Sequence, residues 1–232
     1  MRILQGCTGA DFAECVLTHL KHMGTETSKL AIIERNPEQS KHLETATMKI
    51  HGVSIDFVNL RTEEYASGSR IPEIRLGTAE EDALRRDLTI NALFYRVEGG
   101  EIEDLCGEGL ADLEAGIART PLEPVQTFKD DPLRVLRAVR FACRFDLSVH
   151  RGLAVAAASA EVTTALGSKV SRERLGVEVQ KMLTGPQPIR ALYLLYSMGL
   201  WDVVFRMPSR AEDEDEDQVH RVSLGSANGL AI

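Results

Sequence analysis

Two arginines and an aspartate stand side by side at Arg85-Arg86-Asp87, and the chain then runs straight into Leu88-Thr89-Ile90-Asn91-Ala92. Charges next to a core-forming run need partners, because a buried charge without one is costly. Arg85 and Arg86 offer planar forks of donors that suit phosphate. Asp87 offers acceptors for a ribose hydroxyl. Thr89 and Asn91 alternate with Leu88, Ile90 and Ala92, giving one polar and one apolar side. Taken alone, the triplet reads equally as ordinary surface ion pairing.

A second arginine-rich stretch gives the triplet more weight. Arg134, Arg137, Arg140 and Arg144 step by three, three and four. On a helix they share an arc of about 120°. No acid falls between Val135 and Phe145 to neutralise them. Like charges at this spacing repel, so an anion must face them. A triphosphate, an RNA backbone or carboxylates from another element would all serve. Asp56 is a further candidate, a carboxylate in the middle of an apolar strand pattern (Val53 to Leu60). It reads either as an edge residue facing water or as a cleft residue placed for a metal.

The 232 residues suffice for one large domain or two small ones. Net charge is −8, and Glu212 to Asp217 are six consecutive acids. A globally basic nucleic-acid binder is therefore excluded, but local basic surfaces are not. Cys7, Cys15, Cys106 and Cys143 form no Cys-x-x-Cys pair, against a zinc site or a disulfide framework. No apolar run approaches a membrane span. The first residues resemble neither a signal nor a transit peptide. The expectation is a cytoplasmic or nuclear protein, or a mitochondrial one if a leader lies upstream.

Several elements must position these residues. Thr8-Gly9-Ala10-Asp11 opens a helix with Phe12, Val16 and Leu20 at helical spacing. Lys29 to Arg35 predicts a short buried strand. Leu43 to Ile50 and Val53 to Leu60 predict a hairpin turning at His51-Gly52. Arg61 to Arg75 reads as an irregular, mobile loop. Thr78 to Arg86 is a helix with acids at its positive end. Leu93 to Val97 and Ile102 to Leu105 form a second hairpin. Pro121 and Pro124 mark a boundary, and beyond Phe128 only helices are expected. Asp130-Asp131-Pro132 starts the arginine helix. Leu153 to Ala160 is a short helix, and Ser171 caps another, whose Glu173 and Glu178 are available to arginines. Ile189 to Phe205 is a last apolar helix and turn. From Pro208 the acidic, then Ser/Gly-rich chain predicts disorder.

Together these stretches, from about Thr8 to Phe205, resemble the class II tRNA nucleotidyltransferases, the CCA-adding enzymes, in their eukaryotic form. Arg85 to Ala92 is similar to the family's ribose-recognition motif. Asp104-Leu105-Cys106-Gly107 through Asp112-Leu113 is similar to its hinge motif. Asp130-Asp131-Pro132-Leu133-Arg134 resembles the motif whose Asp and Arg act as a protein template for CTP and ATP. Ser171 to Glu178 resembles the last neck motif. The resemblance implies an α+β fold: a nucleotidyltransferase head with a mixed sheet over residues 1–120, then an all-α neck over 121–207 and a tail from 208 to 232. It implies CMP and AMP transfer to the 3′ end of tRNA, with magnesium as cofactor. Nucleotide contacts would fall to Arg85, Arg86, Asp87, Asn91, Asp131, Arg134, Arg137 and Arg140. Asp131 and Arg134, an acceptor and a forked donor three residues apart, suit the reading of an amino group and a ring nitrogen together.

The family's metal-binding Asp-x-Asp pair has no match between Met1 and Ala10. The expectation is a head lacking its first strands, and a chain truncated at both ends. Asp56 is the only carboxylate offered for a catalytic place, and no metal ligand is assigned. The alternative readings are a non-catalytic nucleotide- or RNA-binding remnant, or a poly(A)-adding relative.

Overall fold

A computed structural model describes residues 8–25, 27–33, 45–64 and 73–206. It is an α+β fold with small sheets in the N-terminal half and packed helices in the C-terminal half.

Helix α1 (Gly9–His22) starts where expected, because Thr8 and Asp11 form a reciprocal capping box. It lies on a three-stranded antiparallel sheet of β1 (Ala31–Ile33), β2 (Thr45–Ile50) and β3 (Val53–Val58). Ala10 and Ala13 meet Ala46 and Met48 in a small core, with Phe57 and Val16 packed against it. Gly9 is needed for this approach, since a Cβ there would sit 2.9 Å from the Phe57 carbonyl oxygen. The β2–β3 turn forms at His51-Gly52, both with positive φ (49° and 79°). The expected buried strand at Lys29 to Arg35 is corrected: β1 is short and exposed. Among the described residues it is an edge strand paired with β2, which leaves Ile32 and Ile33 facing water.

The expected mobile loop at Arg61 to Arg75 is also corrected. Arg61–Glu64 is strand β4, paired antiparallel with β5 (Glu73–Leu76); residues 65–72 lie outside the described set. The pattern escaped a periodicity reading because its inward residue, Glu63, is buried by ion pairing and not by apolar packing. Next comes α2 (Ala79–Leu84), capped by a Thr78–Glu81 box. Thr89–Ala92 is a 3₁₀ turn, so the alternation of Leu88 to Ala92 does not mark a strand. Thr89 is buried, its hydroxyl donating to Asp112 at 2.7 Å and its N–H to the Arg119 carbonyl. Strands β6 (Phe94–Arg96) and β7 (Glu101–Glu103) make the second expected hairpin.

Helix α3 (Gly109–Ala115) and strand β8 (Ile117–Ala118) lead into the helical half. Pro124 begins a helix the sequence reading missed, α4 (Pro124–Asp130), capped by Glu123. Asp131 terminates α4, and α5 (Leu133–Arg144) follows after Pro132. One strand departs from the helices-only expectation: β9 (Ser148–Val149) pairs parallel with β8. The expected helix at Leu153 to Ala160 divides into α6 (Arg151–Ala157) and α7 (Ala160–Lys169), because the Ser159 side chain caps the second. Helices α8 (Arg172–Leu183, capped by Ser171), α9 (Pro188–Ser197) and α10 (Trp201–Val204) complete the fold. The main core is built on the apolar face of α5, with Phe128, Leu153, Leu166 and Leu195 around it. Leu88 and Ala118 join this core, which locks the end of the head to the helices. The expected disorder from Pro208 falls outside the described residues. No described helix is long and apolar enough to cross a membrane.

Candidate functional site

The end of α2, the start of α5 and strand β4 meet in a network of alternating arginines and carboxylates. Its centre in the head is Asp82, 2% exposed. One of its oxygens accepts from Arg85, the other from Arg86 at 2.7 and 3.1 Å. The Arg61 N–H also donates to it at 3.2 Å. Burial by itself would raise this carboxyl, but the hydrogen bonds and charges of Arg85 and Arg86 outweigh it and hold the pKa below the usual carboxylate value. Arg85 also reaches Glu63 of β4 at 2.9 Å and the Arg61 carbonyl at 2.9 Å. Arg86 donates to the Asn91 carbonyl at 2.8 Å and lies 4.9 Å over the Phe94 ring.

Asp87 and Asn91 come together as the sequence suggested. One Asp87 oxygen accepts the Asn91 amide and the Leu88 N–H, each at 3.0 Å. The other accepts two Arg137 nitrogens at 2.7 Å, which ties the head to α5. Glu63 makes the second tie, since its other oxygen takes Arg134 at 3.2 Å. Arg140 turns inward, 9% exposed at its side chain, and donates to Glu178 of α8 at 2.5 Å. Glu178 also takes Lys181 at 3.2 Å. Burial opposes ionisation of Glu178, but Arg140 and Lys181 overcome it and keep the carboxyl below its ordinary range.

Of the three counter-anions open to the arginine helix, carboxylates from other elements are therefore the ones present. Arg134, Arg137 and Arg140 each have one. Arg144 has none among the described residues and lies over Phe145. Arg85, Arg134 and Arg140 keep a fifth or less of their side chains in water in this arrangement, whereas Arg86 and Arg137 keep about a third. Asp131 is half-buried; one oxygen accepts the Leu133 N–H at 3.2 Å and the other is 3.6 Å from Arg174. Asp131 and Arg134 do not pair with each other, so neither satisfies the other's polar edge.

Four carboxylates hold the network, and the sequence reading singled out Asp87 and Glu178 but not Asp82 or Glu63. Asp82 carried a readable signal, standing three and four residues before Arg85 and Arg86 on one helix. Glu63 carried none, because its contact with Arg134 spans 71 residues. The hinge-like stretch is tightly braced: Asp104 accepts the N–H groups of Gly107 and Leu110, both at 3.0 Å. Asp112, 1% exposed, takes Thr89 and Arg119.

Asp56 stands apart from this network. It is exposed on β3 and accepts the Thr47 hydroxyl at 2.7 Å. Among the described residues, no group of three or more carboxylate, imidazole or thiol side chains is placed to hold a metal ion. A single surface carboxylate does not fit a magnesium clamp.

Residues 7–119 match the family model described as the Poly A polymerase head domain. Residues 159–212 match the one described as the probable RNA and SrmB-binding site of polymerase A. The chain is 49% identical over 202 residues to the mitochondrial CCA tRNA nucleotidyltransferase of Saccharomyces cerevisiae, covering 85% of this chain and 37% of that protein. The chain belongs to the tRNA nucleotidyltransferase family. The tRNA nucleotidyltransferase cca2 of Schizosaccharomyces pombe is 41% identical over 215 residues, 90% of this chain and 44% of its own length. The chain thus spans less than half of the curated relatives it matches. Its fold matches that of a tRNA nucleotidyltransferase solved with a primer tRNA and an incoming ATP analog, at a TM-score of 0.60 and 24% identity over 86% of this chain and 53% of that one. Within this nucleotidyltransferase frame, α5 and its arginines occupy the interval between the two matched segments.

Proposed function

We propose that this chain carries the nucleotide-selecting part of a CCA-adding enzyme, which transfers CMP and AMP from CTP and ATP to the 3′ end of tRNA. The observation that carries the reading is the pair of ion-pair ties, Asp87–Arg137 and Glu63–Arg134. They bring the Arg85-Arg86-Asp87 segment of the head against the start of the arginine helix. Names of the relatives supply the reaction and both nucleotide and tRNA partners. The first relative's name also supports a mitochondrial compartment.

In this reading Asp131 and Arg134 read the base edge, Arg137 and Arg86 face phosphate, and Asp87 and Asn91 lie beside the ribose. Arg85 and Arg140 act through the residues they hold. Glu63 keeps the Arg134 fork in place, so the donor spends little freedom when a base arrives. Asp131→Ala or Arg134→Ala removes a charge-assisted contact, and CTP affinity should fall about ten- to a hundred-fold. Calorimetric titration checks this, and unchanged affinity removes the template role.

The reaction is tested with labelled CTP and ATP, supplied with magnesium to a tRNA lacking its terminal CCA. Ordered addition of C, C and A is the product expected of the protein that carries this segment. Addition of A alone assigns an A-adding relative. A folded preparation that adds nothing and binds no CTP contradicts the proposal.

A further inference from the structure

Beyond the ion pairs, a run of rings and guanidinium groups follows α5 from the buried Arg140, past Phe141 at the edge of the main core, to the exposed Phe145. Arg137 lies 5.5 Å and Arg140 4.0 Å from the Phe141 ring centre. Phe141 stacks on Phe145 with ring centres 5.9 Å apart and planes only 4° from parallel. Arg144 lies 5.5 Å over Phe145, which is 52% exposed. An exposed phenylalanine on a soluble surface is unremarkable alone. Here it is the outer member of a parallel stack, flanked by Arg144, the one arginine of α5's series that lacks a carboxylate among the described residues.

We infer that the Phe141–Phe145 stack, with Arg144 beside it, is a platform for the unpaired bases of a single-stranded RNA end. This rests on the nucleotidyltransferase reading above. Aromatic faces take bases of any sequence, and neighbouring arginines supply phosphate contacts. The Arg144 guanidinium already lies over Phe145. A base would take its place while Arg144 turns to a phosphate. The platform is continuous with the nucleotide network, because Arg137, Phe141 and Phe145 follow at four-residue intervals from the Asp87 tie. The run is about 12 Å long, and its exposed ring is Phe145. Of the nearby acids, Asp87 is paired with Arg137, the exposed Asp146 is paired with Arg190, and Glu178 is buried under Arg140.

The test uses the full chain and a short single-stranded oligoribonucleotide with 2-aminopurine near its 3′ end. Stacking quenches this fluorophore. Phe145→Leu keeps apolar bulk and removes the aromatic face. It should abolish most of the quenching and weaken binding about tenfold, while CTP affinity stays unchanged. Phe145→Trp should restore both. Arg144→Gln should keep the quenching and lower the salt dependence by about one phosphate contact. Absence of oligonucleotide binding by the parent chain overturns the platform, as does a folded Phe145→Leu variant that quenches and binds like the parent. Loss of CTP binding with stacking intact overturns the nucleotide site and leaves the platform standing.

Discussion

Glu178→Ala should destabilise the helical half by about 3–5 kcal/mol. Arg140 is 9% exposed at its side chain, and its guanidinium is held by Glu178 at 2.5 Å. Removing the carboxylate leaves a buried cation without its counter-ion, against the Phe141 ring. Urea unfolding of the parent and variant checks the figure. Glu178→Gln should cost less, because the amide oxygen still accepts from Arg140. The pair also predicts a pH dependence. The Glu178 carboxyl is lowered in the folded state from its ordinary value of 4.5. Its contribution is therefore fully present above pH 4.5 and is lost as pH falls through the lower folded value. Glu178→Gln should lack that acid-side loss. Asp130 works in the opposite sense. Burial raises its carboxyl, against the pull of Gln126 and Arg134. It favours the fold most at low pH, and that preference fades as pH rises through the raised value.

Asp82→Ala should cost about as much and should do so in the head. Its carboxylate is 2% exposed and receives both Arg85 and Arg86. Without it, two guanidinium groups crowd the end of α2, Arg85 left with Glu63 and Arg86 with the Asn91 carbonyl. The loss should be about 3–5 kcal/mol. Arg86 would also lose what orients it toward the Asn91 carbonyl, so nucleotide affinity should fall together with stability. Asp82→Asn keeps the shape but not the charge, and should fall between parent and alanine. Equal stability of all three proteins would show that the arginines are held by their backbone contacts alone.

Local signals were the readable part of this chain. Thr8, Thr78 and Ser171 announced three helix starts, and each side chain accepts the N–H three residues on. Ala46 and Met48 alternated with threonines and pointed to the buried face of β2. The arginine spacing of α5 correctly required counter-anions, and Glu178 was among the acids named. What sequence alone did not reveal was which anions answer. Glu63 lies in a strand whose inward side is charged, so hydrophobic alternation fails there. Thr89 to Ala92 alternates like a strand, but the buried Thr89–Asp112 hydrogen bond holds it in a 3₁₀ turn. Helix α4 was hidden because prolines read as a boundary, although Pro124 sits at a helix's first turn, where its missing N–H costs nothing.

The decisive measurement is a calorimetric titration of the 232-residue chain with CTP, ATP, GTP and UTP in parallel. A base-reading Asp131–Arg134 pair, held by Glu63, predicts that CTP and ATP bind and that GTP and UTP bind more weakly. Arg134→Ala should erase that preference. Equal affinity for all four nucleotides, or a preference that survives Arg134→Ala in a folded protein, would contradict the account.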